Sequence, residues 1–127
     1  SYDNNPQIIN LNFNYDPAML LKIIEHVRIV HTDETAFTVY ADDWGKMYVT
    51  SSDTPVTVTI SGDVLWGLGQ LIYFQQAGLG EVNLVAGAGV TLQTPDATST
   101  RAQYSTICIV QTDTNIWVCM GDLAYYA

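Results

Sequence analysis

Apolar and polar positions alternate along most of this chain, and the period of that alternation changes once. The first fifteen residues, rich in Asn and broken by Pro6, read as an extended arm. Within it "IINLNF" alternates well enough to pair with a neighbouring strand, offering Ile8, Ile9, Leu11 and Phe13 as candidate contacts. Asp16-Pro17 then supplies an N-cap acceptor followed by proline in the first turn. Leu20, Ile23, Ile24 and Val27 recur at helical spacing, which predicts one short helix over 17–27, with "VRIV" at its end open to either helix or strand.

Beyond His31 the period is two. "TAFTVY" sets Phe37 and Val39 on one face, "DDWG" turns, and "KMYVT" follows. "PVTVTI" places Val56, Val58 and Ile60 opposite Thr57 and Thr59, the pattern of a half-buried strand. "QLIYFQQ", "EVNLVA", "GVTLQT", "YSTICIVQ" and "NIWVCM" complete about eight short strands, and no repeat of fixed period joins them. The expected fold is all-β: a sandwich, barrel or prism of short antiparallel strands behind an N-terminal arm and one short helix. The expected divisions are 1–15 for the arm, 16–34 for the helix and linker, and 35–127 for the β domain.

The 127 residues suit one domain with its own core. No apolar run approaches the roughly 20 residues of a membrane span. The opening "SYDNNPQIIN" lacks the charge and apolar block of a secretory signal. Ser1 fits a start left by Met removal and fits a processed chain equally well. Four Lys and Arg against thirteen Asp and Glu give a net charge of -9. No basic stripe for a phosphate backbone can be assembled from four cations, so nucleic acid and anionic membranes are poor partners.

Gly78-Leu79-Gly80 and Gly87-Ala88-Gly89 look superficially like phosphate-binding loops. Each, however, runs into a strand, lacks the third glycine of the dinucleotide fingerprint and has no lysine nearby. They read as glycines allowing positive φ in tight connections between antiparallel strands. His26 and His31 are five residues apart, off the i, i+4 spacing of a helical metal pair, and Cys108 and Cys119 have no paired zinc spacing. Asp42, Asp43, Asp53, Asp63 and Asp122 sit in turn-like contexts where a short carboxylate caps its own backbone. No G-x-S-x-G elbow occurs. Neither a catalytic set, a metal site nor a cofactor is therefore expected. Tyr125 and Tyr126 suit a sugar-binding surface or a packed chain end.

The final two strands carry the sharper signal. Paired as a hairpin turning at Asp113-Thr114, they set Cys108 against Cys119 and Val110 against Trp117 on one face. On the other they set Ile107 against Met120 and Ile109 against Val118. Both faces are apolar, which is unusual for a hairpin with one wet side, so something must cover the second. The candidate oligomer interface is therefore Ile107, Ile109, Val118 and Met120, or alternatively Val110 with Trp117.

"GKMYVTSSDTPVTVTI", "GQLIYFQQAGLGEVNLVAGAGVTLQT" and "RAQYSTICIVQTDTNIWVCMGDL", taken in order over residues 35 to 123, resemble a β-rich domain of tailed-bacteriophage virion proteins. Such domains occur in tail fibres and related appendages, and similar short β-proteins decorate capsids as trimers. The resemblance implies a non-enzymatic virion structural protein, assembled in the host cytoplasm and lodged on the capsid surface. It implies a homotrimer as the working unit. Residues 1–34 lie outside the resemblance, and an arm and helix ahead of the domain are what an independent decoration protein needs to grip a shell, so major capsid protein is the expected partner, held through Ile8, Ile9, Leu11 and Phe13. The alternative the resemblance implies is a tail-fibre domain that binds host surface glycans.

Overall fold

The computed structural model describes residues 27–62, 69 and 71–126. The arm, most of the expected helix and the "DVLWGL" loop with Trp66 lie outside the described residues.

Nine strands form in the described residues: β1 Arg28–Thr32, β2 Ala36–Val39, β3 Lys46–Thr50, β4 Val56–Ile60, β5 Leu71–Gln76, β6 Val82–Ala86, β7 Thr91–Gln93, β8 Thr106–Asp113 and β9 Ile116–Gly121. All eight expected segments are strands, and the described residues are all-β as the alternation required. Their pairing is a correction. β1, β3 and β5 stack in parallel, and so do β2, β4 and β6. Each of the pairs β1–β2, β3–β4 and β5–β6 is one coil of a solenoid-like stack, one strand on either wall, rather than part of an antiparallel sandwich or barrel. Among the named strands, β8 and β9 add the antiparallel pairing, extending one wall to six strands in the order β1-β3-β5-β8-β9-β7; the other wall is β2-β4-β6.

The core lies between the walls. Val56, Val58 and Ile60 face inward from β4, with Val82 and Leu84 beside them on β6. Ile72, Phe74, Ile107, Ile109, Trp117 and Cys119 face them from the six-stranded wall. In-register stacking makes ladders of like residues. Tyr48 lies over Phe74 with ring centroids 5.7 Å apart, and Phe37 tilts against Tyr48 at 5.1 Å. Fixing every alternate side chain inward is what lets five-residue strands hold a core.

The corners between walls also stack. Residues 77–81 lie on residues 51–55: the Ala77 and Gly78 amides donate to the Thr50 carbonyl, and Gly80 donates to Ser52. Neither Gly78 nor Gly80 has positive φ, contrary to the sequence reading. Close approach is the reason they are glycines. A Cβ on Gly78 would stand 2.6 Å from the Ser51 carbonyl oxygen, and one on Gly80 would overlap the Thr54 carbonyl. Gly89 does turn at φ +78°, as expected, but its turn joins strands of different walls.

The last coil is closed by the chain that follows it. Residues 98–100 run along β6, exchanging hydrogen bonds Leu84 to Thr98 and Thr100 to Val82, while β8 covers the edge of β5. Inside this cap the Thr100 hydroxyl donates to Gln76 Oε1 at 2.6 Å and accepts from the Val82 amide at 2.8 Å. Both Thr100 and Gln76 are buried, so the exchange satisfies groups that water cannot reach.

Candidate functional site

The register of the β8–β9 hairpin decides what each candidate interface residue can do. A bulge between Gln111 and Asp113, with Asn115 in the left-handed region at φ 59°, shifts the pairing by one residue from the expected one. Ile109 faces Cys119, Val110 faces Val118, and Cys108 faces Met120. A one-residue slip moves the partner set to the opposite face. Ile107, Ile109 and Trp117 therefore lie together in the chain's own core, each at most 2% exposed, and are not free to meet another subunit. Val110, Val118 and Met120 share the outward face with Cys108. Cys108 and Cys119 consequently stand on opposite faces, both as free thiols. Burial pushes both thiols up, Cys119 to about 11 with Cys108 adding to it. Ile8, Ile9, Leu11 and Phe13 lie outside the described residues, as do His26 and Asp63.

The outward apolar face extends well beyond the hairpin. Ile29 pairs with Met47, Met47 with Tyr73, Tyr73 with Cys108, and Cys108 with Met120, which makes one row across five strands. A second row runs Leu71, Val110, Val118. None of these residues is an Asp, Glu, Lys, Arg or His. Ile29 is 52% exposed and Met120 39%, while the residues between them are half-buried. Beside these rows on one side run His31, Val49, Gln75 and Thr106, polar except for Val49, and Gln93 ends the second row beyond Val118. Sequence reading found the hairpin's part of this face but missed Ile29, Met47, Leu71 and Tyr73. The available signal was that "KMYVT" and "QLIYF" are apolar on both faces.

In the corner 77–81 the amides already donate within the chain, Gly78 to Thr50, Gly80 to Ser52 and Leu79 to the Asp53 carboxylate at 3.1 Å, and in the second corner Gly87 donates to Ile60. The turn aspartates are similarly engaged. Asp43 accepts from the Tyr40 amide and pairs with Lys46 at 2.7 Å, while Asp122 takes Arg101 through both oxygens and the Ser105 hydroxyl at 2.7 Å. The Arg101 guanidinium, then the Ser105 hydroxyl, hold the Asp122 carboxyl below its ordinary value. Among the described residues no three His, Cys, Asp or Glu side chains gather as metal ligands. A shallow pocket of about 460 Å³ opens beside the hairpin tip, lined by Thr38, Thr59, Ser61, Gly62, Gly87, Ala88 and Asn115. It has neither a charged group nor an aromatic ring.

No protein-family model matches the chain, and no curated protein matches it in sequence.

Proposed function

We propose that this chain is a structural protein of a tailed-bacteriophage virion, acting as a homotrimer that decorates the capsid and stabilises the shell. The observation that carries the reading is the asymmetry of the coil stack. One end is closed by residues 98–100 and the β8–β9 hairpin. At the other, no strand among the described residues pairs with the outer edges of β1 and β2, which present backbone donors and acceptors. Such an edge binds a partner by strand addition, with mechanical rather than chemical consequence. The arm residues Ile8, Ile9, Leu11 and Phe13, which precede β1 in the sequence, would grip major capsid protein. A stack of in-register coils with a laddered core suits a part that must resist force. Counting copies in purified virions tests the proposal: hundreds per particle support decoration, and absence from the particle overturns it.

A second reading, a tail-fibre domain binding host surface glycans, is favoured by the aromatic residues near the closed end. Tyr104, Tyr125 and Tyr126 are each more than 60% exposed. Tyr104 also holds φ 74°, a conformation that bulky residues rarely adopt and that clusters at binding sites. Exposed rings of this kind stack on sugar faces. A copy number of a few to a few dozen per virion would select this reading over decoration.

A further inference from the structure

We propose that copies of this chain meet through the outer face of the six-stranded wall, three such faces turned inward around an axis parallel to the direction in which the coils stack. This inference rests on the proposed self-association and adds the surface, the partner and the geometry.

The rows Ile29–Met47–Tyr73–Cys108–Met120 and Leu71–Val110–Val118 form one uninterrupted patch, because backbone pairing holds their strands in register. The eight residues of the two rows, each taking about 4.8 Å across the strands and about 6.6 Å along one, give roughly 250 Å² in projection. That approaches the largest apolar patches on a monomer, which are often functional, and is about a third of one partner's share of a standard interface. An apolar centre with His31, Gln75 and Thr106 along one side, Val49 among them, and Gln93 at one end has the anatomy of a protein contact. Charge points the same way. The chain carries a net charge of -9, so two copies repel each other, yet these rows contribute none of its thirteen acidic residues. Copies can approach here without burying unpaired charge.

The geometry of a threefold arrangement closes. Three flat walls about 16 Å wide, arranged as a triangular prism, have their backbones about 5 Å from the axis. That is half the roughly 10 Å at which sheets pack face to face. The side chains of the two rows would then fill the prism without a channel. The chain's own N-terminal segment is the competing occupant.

The test is sedimentation of the full chain at micromolar concentration, with Val110→Asp and Met47→Asp as disrupting variants and Thr57→Asp, on the outside of the other wall, as control. The expected result is a trimer for wild type and Thr57→Asp, and folded monomers for both disrupting variants. Cys108 should react with a thiol reagent at least tenfold faster in those monomers than in the wild-type trimer. Two disrupting positions are used so that misfolding of one, judged by circular dichroism, leaves the other to report. Trimers that persist in both variants overturn the face while leaving self-association standing. A wild-type monomer overturns both, and a dimer overturns the threefold arrangement. If wild type is a monomer with Cys108 protected, and Leu20→Asp with Ile24→Asp in the full chain exposes it, the N-terminal segment is the occupant and the proposal fails.

Discussion

Replacing Gly80 with alanine should destabilise the fold through space alone. Gly80 is buried where the corner 77–81 lies on the corner 51–55, and its φ is outside the left-handed region, so an L residue suits the backbone. A Cβ there would nevertheless overlap the Thr54 carbonyl, a backbone atom that cannot swing aside. The corners must separate, which loosens the bonds from Gly80 to Ser52, Gly78 to Thr50 and Leu79 to Asp53. At about 1 kcal/mol net per bond, three lost bonds cost about 3 kcal/mol. Valine should cost somewhat more, because its branches enter the same gap. A loss of that size lowers the melting temperature by roughly 10 °C in a domain of this length. Gly45 provides the contrast. Its φ is +80° and a Cβ there meets nothing within 4 Å, so Gly45→Ala should cost only the left-handed penalty of about 1–2 kcal/mol. Asparagine, which tolerates that conformation, should recover part of the loss at Gly45 and none at Gly80. Urea unfolding followed by far-ultraviolet circular dichroism, at one protein concentration for all variants, measures each cost. A Gly80→Ala protein within about 0.5 kcal/mol of wild type, or rescue by Gly80→Asn, would refute the close-approach argument.

Three further outcomes are expected. Thr100→Val keeps the shape but strands Gln76 Oε1 and the Val82 amide, so it should lose about 2–4 kcal/mol in urea titration; a loss under about 0.5 kcal/mol would remove the cap's hydrogen bonds from the account. Cys119 holds its proton to about 11 against an ordinary 9.0, and a raised folded value stabilises below the unfolded one and is lost as pH rises to the folded one. Melting temperature should therefore fall between about pH 9 and 11 more steeply in wild type than in Cys119→Val, and parallel pH profiles would contradict this; reductant should leave it unchanged at neutral pH, since the two thiols face opposite ways. Asp122 is shifted the other way, so its ion pair with Arg101 contributes above the ordinary carboxylate value of 3.8 and is lost as pH falls through the lowered folded value. Asp122→Asn should be less stable than wild type at pH 7 and converge with it in acid, and a gap that persists at low pH would assign the effect to something other than charge.

Where the strands lie was legible because alternation is a local property. "PVTVTI" buries Val56, Val58 and Ile60 whichever neighbour it finds. Which neighbour it finds is another matter, and here the reading went astray for a physical reason. The corners at 51–55 and 77–81 have the length of hairpin loops, so antiparallel pairing was the natural inference. The feature that marks them as stacked corners is non-local: small Ser51 and Ser52 lie beneath Gly78 and Gly80, one coil apart. Nor did a repeat betray the coils. Arg28 pairs with Lys46 but Met47 with Tyr73, so successive coils differ in length and leave no fixed period.

The candidate site shows a sharper version of the same limit. Composition alone established that the last hairpin is apolar on both faces, and hence that one face needs cover. Assigning residues to faces required the register, which one bulge beside Gln111 and one left-handed residue, Asn115, displaced by a single position. With odd residues of β8 opposite odd residues of β9, Ile107 and Ile109 turn in toward Trp117 and Cys119, and Val110 and Met120 turn out. The outward set then continues over β5, β3 and β1 only because those strands stack in parallel register, a fact that no hairpin argument could reach. A doubly apolar strand is therefore a dependable sign that cover exists, since bare apolar surface of this extent is costly in water. The identity of the covered residues depends on pairing, and pairing here is set by backbone geometry at two positions whose side chains give little warning. Substituting outward residues rather than inward ones is what separates loss of assembly from loss of fold. An Ile109→Asp change would put a charge into the core and unfold the chain, whereas Val110→Asp, one residue away, tests assembly with the core left intact.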